Sequence, residues 1–462
     1  MKLITALVCV FALCSAQAHD HYPFVSDVPA MEEAMLSPDF WVARLPDTEP
    51  RMTPAQVRQF NQRAFAVDAH MHDLDQLPDS LSRERLLSLI NTVSRPASSA
   101  RYHAGSGERV SDRDYRRWSA MANLEAIKAY NPVRWGLAVS RSSMRSFPTA
   151  ERVLKTPEDI HLDRFQETAV FPGERLAILH SSADGEWFFA LNYHYAAWLP
   201  RNAVALGSRA EIAAWHAAEP RLVVTGDQVS TNFNPADQRS SEVPLEMGVS
   251  LPLLDPETTG FEVNGQNPYA SYIVSLPLRT AGGSLEFGMA LVARSRDVTF
   301  GYLPYQPDLL IQQAFKFLGE RYGWGHDYNG RDCTGFIGEV YKSFGLLMPR
   351  NTSQQAEGEY AATLRFNAPD VEGVRAALTK LQAGDLIYLP GHVVMYLGAV
   401  DGEPYVIHDR TALAYLNEAG ETYHGILSGV SVTPLTPLLT EDGAGFLASI
   451  HAIKRIALET GW

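Results

Sequence analysis

The chain has 462 residues, 46% hydrophobic and 20% charged, an ordinary globular balance and enough length for about two to four domains. Its net charge of -14 argues against a nucleic-acid partner, which would need a basic face. Only three cysteines are present, Cys9, Cys14 and Cys333.

The chain begins "MKLITALVCVFALCSAQA", with Lys2, an apolar run from Leu3 to Cys14, and Ala16-Gln17-Ala18. This reads as a secretory signal peptide over residues 1–18, and export to the periplasm is expected. The run is too short to span a bilayer as a stable helix. Lipid attachment would want a small residue before the modified cysteine, but Val8 and Leu13 stand there. No second long apolar segment follows, so no membrane-spanning segment is expected after cleavage. Cleavage leaves Cys333 as the sole thiol, either buried and inert or reactive.

Residues 19–130 read as a helical segment. "TPAQVRQFNQRAF", "SLSRERLLSLINTV" and "DYRRWSAMANLEAI" carry helical apolar spacing, separated by Arg95-Pro96 and "SGERVSDRD". From residue 131 the texture changes to short β-branched and aromatic runs. "VRWGLAVS", "ERLAILHSS", "EWFFALNY" and "AAWLPRNAVAL", punctuated by Pro172-Gly173 and Asp184-Gly185, predict a small all-β barrel over 131–206. "RLVVTGDQVS", "YIVSLPLR" and "LEFGMALVAR" predict a second over 207–303. Residues 304–462 read as α+β. "PDLLIQQAFKFLGERYG" predicts a helix closed by Gly323, and "CTGFIGEVYKSFG" a helix that buries Phe336, Val340 and Phe344 and ends at Gly345. Strands follow at "GDLIYL", "HVVMYLGAV" and "PYVIHD", the last two joined by a turn at Asp401-Gly402.

The chemistry gathers in this last segment. A cysteine at a helix start meets free N–H groups and partial positive charge, which favour thiolate. A nearby imidazole can take its proton, and a third polar group can fix that imidazole's tautomer. His392 opens one strand and His408 closes the next. A tight turn at Asp401-Gly402 sets His408 across from about Met395, so a bulge or longer loop is needed to bring it beside His392. Alone, each of these residues has a structural reading as a buried cysteine or a satisfied polar histidine. Together they point to a cysteine nucleophile.

"YGWGHDYNGRDCTGF" resembles the Tyr-x-Trp-Gly…Asp-Cys-Ser-Gly signature of the NlpC/P60 cell-wall cysteine peptidases. "LMPRNTSQQ", "AGDLIYLPGHVVMYLG" and "YVIHD" resemble that family's later segments in the same order. The resemblance implies a papain-like α+β fold with Cys333 as nucleophile, His392 as base and His408 as orienting residue, and no metal or other cofactor. Upstream, residues from "VRWGLAVS" to "HYAAWLP" resemble the bacterial SH3-like domain that precedes this peptidase in the branch that cuts the γ-D-glutamyl–diaminopimelate bond. The implied partners are peptidoglycan-derived peptides. By position the resemblance carries substrate contacts to Tyr322, Trp324, Asp332, Thr334 and Thr352, with Tyr195 as a further neighbour from the first barrel. Asp332 suits a substrate ammonium by charge, or serves as the N-cap of the Cys333 helix. Tyr322 and Trp324 equally suit core positions. Thr334 and Thr352 stand where the family usually has Ser, and Asn351 where some relatives carry an acid.

"VDAHMHDLD" resembles the Asp-x-His-x-His start of metal-dependent amidohydrolases, with His70 and His72 alternating as on a strand. That chemistry needs a large barrel and further ligands, and small barrels follow instead. Two rival functions share the remaining motifs. One is a wall-binding protein with an inactive peptidase domain, against which the intact Cys333, His392 and His408 count. The other is amide hydrolysis or acyl transfer on a different substrate.

Overall fold

The computed structural model describes residues 23–367, 369–417 and 419–458, so the leader with Cys9 and Cys14 lies outside the described residues. Thr53 caps α1 (Pro54–Val67) in a reciprocal capping box with Gln56, and Ser111 caps α3 (Asp112–Met121) in one with Asp114. Between them, Ser82 caps α2 (Arg83–Val93). The helical segment shares its neighbours' cores. Met35, Trp41, Met52 and Phe60 pack with Phe336 and Tyr405 of the C-terminal domain, while Leu86 and Ile90 join the core of the β units. Each short helix buries one narrow stripe, and a stripe needs a partner surface.

Seven of the eight strands between residues 134 and 207 form one sheet ending in β1 (Gln166–Val170), while Val153–Leu154 pairs with Tyr102–His103. Those between 221 and 300 form sheets of three, two and two strands packed around one core. Among them β2 (Pro244–Glu246) pairs Glu246 with Gln228. Both units share one core, in which Ala205 and Trp215 meet Val274 and Leu276.

The C-terminal domain opens with α4 (Pro307–Phe315), which stops short of Gly323 because the chain turns through Gly319 at φ +83°. Next come α5 (Cys333–Lys342) and α6 (Thr352–Glu357). A six-stranded antiparallel sheet runs in the order Ala362–Arg365, Ala452–Arg455, β3 (Leu386–Leu389), β4 (His392–Val400), β5 (Glu403–Leu416), β6 (Thr422–Pro434). Phe336, Ile337 and Val340 of α5 cover one face against Val393, Met395 and Ile407, and Val374 and Phe446 cover the other against Val394 and Val406. The start of α5 thus meets the start of β4. No helix among the described residues is long and apolar enough to cross a membrane.

Candidate active site

Cys333 opens α5 and is 7% exposed. Asp332 caps that helix, its Oδ1 accepting the Gly335 N–H at 2.8 Å. Arg350 donates to both Asp332 oxygens at 3.1 and 2.8 Å, the Gly325 N–H donates to Oδ2 at 3.0 Å, and the Thr334 hydroxyl to Oδ1 at 3.1 Å. Burial alone would raise this carboxyl, but the Arg350 charge and hydrogen bonds hold it at about 2. The N-cap reading of Asp332 is realised, and both of its oxygens already accept hydrogen bonds inside the protein. Thr334 is drawn into the same network, accepting from Arg350 at 2.7 Å.

The histidines meet through a one-residue irregularity. Asp401 and Gly402 turn at φ +51° and +83°. The ladder pairs Gly398 with Tyr405 but Tyr396 with Val406, leaving Leu397 as a bulge. Without the bulge, His408 falls opposite Met395, on the face away from His392. With it, the register continues to Val394, on the same face as His392. His392 Nε2 and His408 Nδ1 lie 2.8 Å apart, and His408 Nε2 lies 3.1 Å from the Thr433 hydroxyl on β6. The Cys333 sulfur lies at the Val393 backbone N–H, one residue along from His392, and 3.8 Å from Thr352 Oγ1.

The electrostatics differ from the ion pair expected of a helix-start thiol. Burial first, and the Asp332 charge second, push the Cys333 thiol up to about 12, against the Val393 N–H and Thr352 hydroxyl. Burial, with the Arg410 charge, pushes the His392 imidazole down to about 3. Both shifts favour the neutral thiol and the neutral imidazole in the unliganded site. The dipole of one helix start is worth about a kcal/mol, less than the cost of burying a thiolate. Asp409, next along β5, adds to this. It is fully buried on the α5 side of the sheet, and neither carboxylate oxygen has a hydrogen-bond partner. Burial and the charges of Asp332 and Glu320 push its carboxyl well up.

A cleft of about 350 Å³ lies over Cys333, lined by Tyr322, Trp324, Thr352, Asn351 and Glu167. Trp324 reaches across to the first β unit, its Nε1–H donating to the Gln166 carbonyl at 3.1 Å. Glu167, on β1, ends the cleft. The Tyr195 hydroxyl donates to it, and Asn351 also bonds Tyr195. Burial raises the Glu167 carboxyl against the Tyr195 hydrogen bond and the charges of Arg350 and Arg145, and no salt bridge reaches it among the described residues. Glu167 and Asn351 also line a second hollow of about 900 Å³, bounded by His70, His72 and Arg85 of the helical segment. His70 and His72 sit on the loop after α1, away from any strand, with His70 Nδ1 3.2 Å from Gln354 Nε2. Among the described residues no three His, Cys, Asp or Glu side chains are grouped to share a metal ion.

The NlpC/P60 family model matches residues 319–423, which include Cys333, His392 and His408, and the SH3 domain (SH3b1 type) model matches residues 152–200. The chain carries an NlpC/P60 domain and an SH3 domain. A solved NlpC/P60 endopeptidase from Photobacterium damselae subsp. piscicida shares the fold, with a TM-score of 0.69 over 88% of this chain and 94% of that chain at 15% identity. An NlpC/P60 family protein from Bacillus cereus aligns over 70% of this chain and 99% of its own at 21% identity, with a TM-score of 0.47. A curated relative, the gamma-D-glutamyl-L-lysine dipeptidyl-peptidase of Bacillus cereus, is 26% identical over 267 residues, 53% of this chain and 68% of the relative.

Around the NlpC/P60 domain the structure adds residues that sequence reasoning missed. Glu167 lies about 165 positions before Cys333 and carries no local motif; only the docking of the SH3 domain brings it to the cleft. Arg350 stood inside the quoted "LMPRNTSQQ". Its signal was an arginine set directly after the apolar run Leu346–Pro349, which asks for a partner acid if it is buried.

Proposed function

We propose that this protein is a cysteine endopeptidase that cuts the γ-D-glutamyl–diaminopimelate bond of peptidoglycan stem peptides bearing a free N-terminal L-Ala, after export to the periplasm. The observation that carries the reading is the 2.8 Å contact of His392 Nε2 with His408 Nδ1, at the start of the strand whose next residue, Val393, turns its backbone N–H to the Cys333 sulfur. If His392 Nε2–H donates to His408 Nδ1, then His408 Nε2–H donates to Thr433, and His392 Nδ1 is left as the base. His392 takes the thiol proton as Cys333 attacks the γ-carbonyl. The Cys333 N–H, free at a helix start, is a donor for the developing oxyanion. The diaminopimelate amine leaves with the proton from His392, and water then releases the L-Ala-γ-D-Glu acyl group from the sulfur.

The amine preference rests on Glu167. A carboxyl that lines the cleft, is hydrogen-bonded by Tyr195 and has no salt bridge among the described residues suits an ammonium. The charge-assisted contact is worth about 2 kcal/mol, so N-acetylation lowers kcat/KM at least roughly thirtyfold. In Glu167→Gln the ratio collapses toward one. Product masses from defined muropeptides check the bond cut. The larger hollow beyond Glu167 favours a second reading, in which peptides still joined to muramic acid enter. Equal kcat/KM for the free and acetylated peptides selects it.

A further inference from the structure

Arg331 stands two residues before Cys333, and its side chain is 2% exposed. Its Nε donates to Glu339 at 2.9 Å and its Nη1 to Glu320 at 2.5 Å, both within the NlpC/P60 domain. Its Nη2 lies 2.8 Å from Glu339 Oε2 and also reaches out of that domain, donating to Glu246 Oε2 at 2.6 Å and to the Asp227 carbonyl at 3.2 Å, both in the second β unit. The other Glu246 oxygen accepts from Arg141 of the first β unit at 2.7 Å. Arg141 in turn donates to the carbonyls of His326 at 2.9 Å and Gly330 at 2.8 Å. Between those carbonyls, His326, Tyr328 and Asn329 hold φ of +66°, +56° and +58°. Non-glycine residues keep such conformations when their surroundings impose them. One carboxylate with no solvent exposure thus holds both Arg331 and, through Arg141, the strained segment that runs into Asp332 and Cys333.

We propose that Glu246 is a positioning residue for the Cys333 nucleophile, which makes the second β unit a working part of the active site. The network continues past Arg331. Glu339 meets His326 Nε2 at 3.1 Å, Arg350 Nη2 lies 3.2 Å from His326 Nδ1, and Arg350 pairs with Asp332. The cap that aims α5 is therefore braced from both sides. An ion cluster that only glued the units together would lower the melting temperature when broken. It would leave the reactivity of Cys333 unchanged in the molecules that remain folded.

The test uses the full chain. In Glu246→Gln, kcat on L-Ala-γ-D-Glu-diaminopimelate falls at least about tenfold with KM within about threefold, the mark of lost positioning and not lost binding. Alkylation of Cys333 by iodoacetamide, read at its own peptide by mass spectrometry, slows at least about fivefold, whereas the bare loss of a negative charge favours thiolate and speeds it. Arg141→Gln behaves alike, and the double variant is no worse than either single, because both act through one segment. Glu286→Gln, which removes a surface partner of Arg239 in the same β unit, leaves both readings at the wild-type value. Glu246→Asp keeps the charge with a shorter reach and returns part of the loss; it carries the test if the Gln variant does not fold. The proposal is overturned by alkylation as fast as wild type or faster, or by kcat within about threefold of wild type. Alkylation needs no substrate, so if the peptide is not cut by the wild-type chain the substrate assignment fails and alkylation alone decides.

Discussion

At Cys333 the burial of the thiol outweighs the helix start, and this has a consequence in pH. A resting thiolate–imidazolium pair gives a flat alkylation rate between its two pKa values. Here the thiol is pushed up to about 12 and the imidazole down to about 3, so the pair stays neutral between them. Iodoacetamide alkylation of the free enzyme is therefore expected to rise steadily with pH, with no plateau between about pH 4 and about pH 8. A plateau there would show a preformed ion pair. The two histidines separate by role. His392→Gln removes the base, whereas His408→Gln keeps a polar group beside it and retains more of the single-turnover rate. The opposite ranking reverses the assignment.

Among the elements, three adjacent strands each supply one member of the chain that ends at the thiol. β4 carries His392, β5 carries His408 and β6 carries Thr433. Thr433→Val leaves the buried His408 Nε2 without its partner, at a cost of about 1–3 kcal/mol, and frees the tautomer to flip. A flipped His408 presents N–H to N–H at His392, so kcat is expected to fall more than KM changes, read by steady-state kinetics beside a denaturant midpoint. The α5 cap depends on Arg350. Asp332 is held at about 2, below its unfolded value of about 4, so the pairing stabilises the fold above about pH 4 and is lost as pH falls through about 2. Arg350→Met leaves that carboxylate buried and unpaired and costs about 3–5 kcal/mol at neutral pH, measured by urea unfolding. A shift under about 1 kcal/mol would mean water reaches the pair.

The whole molecule behaves as shared cores. Trp41 is 1% exposed, donates its Nε1–H to the Met35 carbonyl at 2.9 Å, and packs its ring 5.4 Å from that of Tyr405. Its Cε3 lies 3.6 Å from where a Cβ on Gly398 would sit. Gly398 and Tyr405 are the pair beside the Leu397 bulge, so a residue of the helical segment braces the register that faces His408 toward His392. Trp41→Ala is expected to cost about 3–5 kcal/mol and to lower activity, although it lies some 290 positions from the nucleophile. Urea unfolding followed with activity measures both; unchanged values would separate the helical segment from the catalytic core.

The local sequence alone determined the helix start at Thr53, the strand runs of the β units, and the candidate residues Cys333, His392 and His408; the cap at Ser111 falls inside the stretch read as a break. Capping residues, alternation and a turn at Asp401-Gly402 act over a few positions, and a few positions are what a sequence displays. The tertiary structure decided the rest. It settled the face of His408, because a single bulged Leu397 reverses side-chain parity without leaving a composition signal. It gave Asp332 to Arg350 and left Glu167 without a salt bridge among the described residues, because such pairings join positions far apart in the chain. It set the burial that disfavours charge on Cys333 and on His392, because burial depends on everything packed around a group and not on its neighbours in sequence.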